Sequence, residues 1–240
     1  MASPIEQFRI EKVLNIDLGF ADASFTNSSL FMVLAAGAVT VFLIGATREK
    51  SLIPGRLQST AEIAYEFVAN MVRTNVGSEG RKYFPFIFSL FMFILFGNML
   101  GIIPYSFTFT SHLAVTLAMA LVVFIGTTII GFAKHGLHFL SFFLPHGTPW
   151  FVAPILVPIE VLSYFTRPIS LSLRLFANMT AGHTLLKVFA GFVAAMGVAG
   201  IVPLVAVIGL TGLEMLIAFL QAYVFAVLSC IYLNDALHMH

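Results

Sequence analysis

The sequence predicts an all-α membrane protein with five membrane helices and one interfacial amphipathic helix. Three observations predict it. Of 240 residues, 59% are hydrophobic and 10% charged, with mean hydropathy +0.98. A soluble domain carries about 25% charged residues, so a soluble enzyme with an anchor is excluded. Five separate apolar stretches are each long enough to cross a bilayer, which takes about 20 helical residues. A sixth stretch instead alternates apolar and polar residues at helical spacing.

Residues 1–27 are mixed and polar and form an extramembrane segment, a short helix or an extended tail. Residues 28–240 read as a single membrane domain. The first span covers 28–46 and is closed by Thr47-Arg48-Glu49-Lys50. In 56–73, Leu57, Ala61, Ala64, Phe67, Val68, Met71 and Val72 recur every three or four residues. Arg56, Gln58, Glu62, Glu66, Asn70 and Arg73 fill much of the remaining circumference, which suits a helix lying flat at the interface. The second span, 84–104, follows Arg81-Lys82 and ends at Pro104-Tyr105. The third, 112–133, ends at Lys134-His135. Pro145, His146, Gly147, Pro149 and Trp150 then form a bent interfacial connection with an aromatic anchor.

The last third holds two long apolar helices, 153–197 and 201–236, with Gly197, Gly200 and Pro203 marking the turn. At 1.5 Å per residue the first is about 65 Å long, against a hydrocarbon core of about 30 Å. It must tilt steeply, lie partly along the membrane, or break; Pro154, Pro158 and Pro168 allow bends. Basic residues orient the chain. Segment 47–83 carries Arg48, Lys50, Arg56, Arg73, Arg81 and Lys82 and faces the cytoplasm. The N-terminus, the 105–111 loop and the 198–200 turn are then outside, and Lys134 and the C-terminus inside.

Net charge is +1, which implies no nucleic acid or other acidic polymer as partner. Cys230 is the single cysteine, without an internal disulfide or metal spacing. The acidic and basic residues Glu6, Arg9, Glu11, Lys12, Asp17 and Asp22 before any apolar run are not the layout of a secretory signal. His135, His138 and His146, and separately His238 and His240, lack a third convincing ligand, so no metal site is expected. Neither a G-x-x-x-x-G-K-[ST] loop nor an H-E-x-x-H motif occurs.

The chemistry lies in the last two helices. Arg174 keeps its proton at any ordinary pH, and a charge at mid-membrane costs about 3 kcal/mol on insertion scales. Glu160, Arg167 and Arg174 are spaced by seven and share a face, with Asn178 one turn further. Arg167 and Lys187 are expected to snorkel toward an interface. His183, nine residues beyond Arg174, falls on the opposite side of an ideal helix. Glu214 and Gln221 again share a face, Gln221 serving either the function or a plain interhelix hydrogen bond.

The topology places Glu160 toward the cytoplasm, Arg174 and Gln221 near mid-depth, and His183 and Glu214 in the outer half. Histidine and intramembrane glutamate are groups able to exchange protons in the working range. An outer pair and an inner group, separated by a fixed cation, make two blocked half-paths rather than one pore. The two helices are short of carboxylates, so Arg174 is expected to meet one supplied by another subunit. A self-contained secondary transporter is the alternative, but the chain shows no paired halves or inverted repeat.

These residues resemble a family. Ser170-Leu171-Ser172-Leu173-Arg174-Leu175-Phe176-Ala177-Asn178-Met179 with Ala181-Gly182-His183 is similar to the signature of subunit a of F-type ATP synthases. So are Glu214-Met215-Leu216-Ile217-Ala218-Phe219-Leu220-Gln221-Ala222-Tyr223 and Asn98-Met99-Leu100-Gly101-Ile102-Ile103-Pro104-Tyr105. The resemblance covers the chain from Ser28 to its end. It implies that the last two helices form a long tilted hairpin against a ring of c subunits. It implies b-type peripheral stalk subunits and lipid as further partners. It carries the essential arginine onto Arg174 and proton-path roles onto Glu160, Asn178, His183, Glu214 and Gln221. Histidine first and glutamate second is the order of mitochondrial and related alphaproteobacterial members; some bacteria exchange the two. The family implies no nucleotide site on this chain, which is not an enzyme alone, and no cofactor is expected. It implies a bacterial inner membrane, with periplasmic N-terminus and cytoplasmic C-terminus.

Overall fold

A computed structural model describes residues 9–14, 24–48, 54–103, 106–136, 138–139 and 152–238. The expectations for Glu6, Asp17, Asp22, Lys50, Pro104-Tyr105, the Pro145–Trp150 connection and His240 lie outside these residues. The described residues form six α-helices and one small strand pair.

The described residues of the N-terminal segment include a short strand pair. Strand β1 (Lys12–Leu14) pairs antiparallel with β2 (Phe25–Thr26), Lys12 opposite Thr26. Phe and Thr favour strands, and Asn27 clips the pair: its Nδ2 donates to the Arg9 carbonyl at 3.0 Å. Helix α1 (Asn27–Thr47) then starts at the Thr26 cap, whose hydroxyl accepts from the Ser29 N–H at 3.3 Å.

Helix α2 (Arg56–Val76) is the amphipathic segment, one turn longer than its sequence pattern. Ala61, Val68, Met71, Val72 and Val76 are its buried positions. Gly77 stops it in the left-handed region, φ +79°, with its N–H donating to the Arg73 carbonyl. Helix α2 packs on α1, on α3 (Phe84–Ile102) and on α6 (Ile201–Leu237). Helix α4 (Leu113–His135) completes the inner group. Among the described residues four helical stretches are long and apolar enough to cross a membrane: Asn27–Thr47, Ser78–Ile102, Leu113–His135 and Ile201–Leu237.

Helix α5 (Ala153–Ala195) is outside that set, carrying Glu160, Arg167, Arg174 and Lys187 along 43 residues. It does not break. It runs continuously through Pro158 and Pro168 although each proline removes a backbone hydrogen bond. Packing along α4 and α6 holds it together. A 3-10 turn, Gly197–Gly200, leads into α6, and the two helices run in opposite directions: Arg167 meets Asp235, and His183 meets Glu214.

The core gathers on α6, against which α3 and α5 each pack, with Phe91, Ile94, Leu171, Leu175, Met179 and Phe225 at its centre. Ala218, Ala222 and Ala226 are fully buried at four-residue spacing on α6, letting α3 approach closely. The buried face of α6 repeats Glu214, Ala218, Gln221, Phe225 and Ser229, so three polar residues ride on an otherwise apolar stripe.

Candidate functional site

The 3.6-residue period sorts the side chains of α5. Leu171, Leu175, Met179 and His183 face inward, whereas Leu173, Arg174 and Ala177 are exposed. Arg174 and His183 therefore occupy different sides of α5, as their spacing predicts. Among the described residues neither Arg174 nor Glu160 takes part in an ion pair. Asn178 and Glu160 are half-buried, and Gln221 is buried.

His183 and Glu214 are brought together. Nδ1 of the imidazole stands 2.5 Å from Glu214 Oε1, and both side chains are buried. Neither Glu214 oxygen has a well-aligned hydrogen bond among the described residues. Gly182 makes the fit possible: a Cβ there would lie 2.9 Å from Glu214 Oε1. An imidazole against a carboxylate is an arrangement able to hold and pass a proton. Asn178 and Gln221 are not joined to this pair by direct hydrogen bonds among the described residues.

Arg167 does not simply snorkel. Its guanidinium donates to Asp235 Oδ2 at 2.9 Å and stands over the Tyr164 and Tyr232 rings, 5.4 and 5.3 Å from their centroids. The carboxylate and the second ring come from the far end of α6, so only the folded packing makes them neighbours. A bound counter-ion removes the reason to reach for water. Lys187 is exposed.

The sequence reading missed the segment between α3 and α4. Residues 106–112 do not lie on the surface as a loop. Thr108, Phe109, Thr110 and Ser111 are buried, the last three in a 3-10 turn. Thr108 Oγ1 is 2.7 Å from His183 Nε2, so each imidazole nitrogen has a polar neighbour, Thr108 on one edge and Glu214 on the other. Thr110 donates to Asn98 Oδ1 at 2.8 Å, and Asn98 Nδ2 donates to the Ala218 carbonyl at 3.2 Å. Two glycines of α3 make room: a Cβ on Gly97 would sit 2.3 Å from Phe109 Cζ, and one on Gly101 2.3 Å from Thr108 Oγ1. That Gly97-x-x-x-Gly101 spacing, followed by a run of hydroxyl residues, is the signal that identifies the segment.

The comparisons with known proteins agree with one another. The family model described as ATP synthase A chain matches residues 29–234. The chain is 60% identical over 241 residues to "ATP synthase subunit a" of Rhodospirillum rubrum, covering all of both chains. It is 59% identical over 247 residues to the protein of the same name from Paramagnetospirillum magneticum, again over the full length of both. Identity to that of Chelativorans sp. is 58% over 243 residues, covering 98% of this chain and 97% of the relative. The chain thus belongs to the ATP synthase A chain family, that of subunit a in the membrane sector of the ATP synthase.

Proposed function

We propose that this chain is the stator proton-channel subunit, offering two offset half-channels to a rotating c-ring. One observation carries the reading: a buried His183–Glu214 pair lies on one side of α5 while Arg174 lies on its exposed side. Protons enter from the periplasm past His183 and Glu214, with Asn178 and Gln221 lining the way to a c-subunit carboxylate. They ride the ring and leave toward the cytoplasm past Glu160. Arg174 faces the passing carboxylate, favours its ionised form by opposite charge, and blocks direct passage between the half-channels. Flow is thereby coupled to rotation and ATP synthesis.

In this reading α1, α3, α4, α5 and α6 all cross the bacterial inner membrane and α2 lies at its cytoplasmic face. Helices α5 and α6 form a tilted hairpin on the ring, and b-type stalk subunits hold residues 28–240, one membrane domain, in place. The N-terminus is periplasmic and the C-terminus cytoplasmic. The chain binds no nucleotide and no cofactor.

The half-channel assignment is tested in the whole complex reconstituted in vesicles. His183→Ala and Glu214→Gln should each lower proton-driven ATP synthesis by about a hundredfold, the range of a lost proton-transfer group, without opening a leak. Glu160→Gln should slow release on the cytoplasmic side. Wild-type rates in all three, or a leak in the first two, would contradict the assignment.

A further inference from the structure

The hydroxyl of Thr108 has a better-defined place than its position in a loop suggests. The residue is 5% exposed and its Oγ1 stands 2.7 Å from His183 Nε2, on the opposite edge of the ring from Glu214. Ser111 Oγ donates to the Thr108 carbonyl at 2.6 Å, and Thr180 Oγ1 of α5 donates to the Ser111 carbonyl at 3.3 Å. The bare Cα of Gly101 lies directly behind the hydroxyl. The residue is fixed from its own turn, from α3 and from α5.

We propose that Thr108 is a proton-relay residue of the outer path, one hydrogen bond before His183. The inference rests on the reading of His183 and Glu214 as that path. An ionised Glu214 only accepts, so Nδ1 of a neutral His183 then carries the hydrogen and Nε2 accepts from the Thr108 O–H. A hydrated proton from the outer aqueous phase adds to Thr108 Oγ1. The hydroxyl's own proton passes to Nε2, and the Nδ1 proton crosses the short Nδ1···Oε1 contact to Glu214 as the carboxylate turns into line with it. One proton has entered and one negative charge is cancelled. His183 is neutral again with its hydrogen on Nε2, and now donates to Thr108 Oγ1. The relay needs a side chain that donates in one state and accepts in the other, which a hydroxyl does and an aliphatic group does not.

The test uses the intact ATP synthase complex in vesicles, driven by an imposed proton gradient, with assembled complex quantified for each variant. Thr108→Val should lower the synthesis rate by about tenfold, the scale of one hydrogen bond. Its rate should keep rising with outer acidity where the wild type has levelled off. Thr108→Ser restores the hydroxyl and should recover the rate to within about twofold. Thr108→Cys, close in size and a weak hydrogen-bonding group, covers the case in which valine blocks assembly, and should also be slow. A wild-type rate in Thr108→Val or Thr108→Cys, or a serine variant as slow as valine, overturns the relay. His183→Ala and Glu214→Gln run alongside. If both are slow while Thr108→Val is normal, Thr108 alone is misassigned; if both are normal, the outer path itself fails and the relay with it.

Discussion

Arg167 and Asp235 tie the early part of α5 to the end of α6 through an N–H···O contact of 2.9 Å. The pair is half-buried and is flanked by Tyr164 and Tyr232. Arg174 lies two turns further along the same helix, so the pair fixes the stretch that presents it. Removing one member leaves the other charge partly desolvated. Arg167→Gln or Asp235→Asn should each destabilise the subunit by about 2 kcal/mol. The double variant should cost less than the sum. A thermal-denaturation cycle on the solubilised complex measures this, and strict additivity would refute the coupling.

Gly182 bears on the buried pair by what it lacks. A methyl group there would stand 2.9 Å from Glu214 Oε1, inside contact distance, so the carboxyl must turn away from His183. Gly182→Ala should lower proton-driven synthesis by about tenfold while costing only about 1–2 kcal/mol of stability, as overpacking does. Rate and melting temperature measured together check it; an unchanged rate would show that the pair tolerates displacement.

The turn at Phe109–Ser111 depends on Gly97 and Gly101. Alanine at either would drive its Cβ to 2.3 Å from Phe109 or Thr108. Because ring and hydroxyl belong to one rigid turn, either substitution should expel it from the helix bundle. The expected outcome is faster hydrogen exchange across residues 106–112. Gly37→Ala, on α1, meets nothing within 4 Å of its added Cβ and serves as the control.

His112, just before α4, gives this segment a pH dependence. It stacks on Phe107 at 5.0 Å between ring centroids, its Nε2 is buried, and burial pushes the imidazole's pKa below its usual value. The opened segment therefore binds a proton more readily than the closed one. Closure is fully stable above the free imidazole pKa of about 6.5 and weakens as pH falls below it. Intrinsic-rate-corrected exchange protection at residues 106–112 should drop on acidification, and His112→Phe should remove that dependence. Protection that falls equally in both proteins contradicts the assignment to His112.

Much of the helical fold was legible because a bilayer forces long uniform apolar runs, and α1, α3, α4 and α6 announce themselves that way. The 3.6-residue period also separated Arg174 from His183 and put Glu214 with Gln221. What escaped depends on contacts between elements distant in sequence. Arg167 finds Asp235 across 68 residues, and Thr108 finds His183 across 75. The strand pair at Lys12 and Phe25 is too short to leave a periodic pattern. No local propensity encodes these meetings; small residues at Gly97, Gly101 and Gly182 were their faint trace.

The most direct test of the central claim is Arg174→Ala in the intact complex, with ATP synthesis and passive proton permeability measured in the same vesicles. The account predicts no proton-driven synthesis together with a proton leak through the membrane sector, since the charge that separates the half-channels is gone. Coupled synthesis persisting in that variant would contradict it.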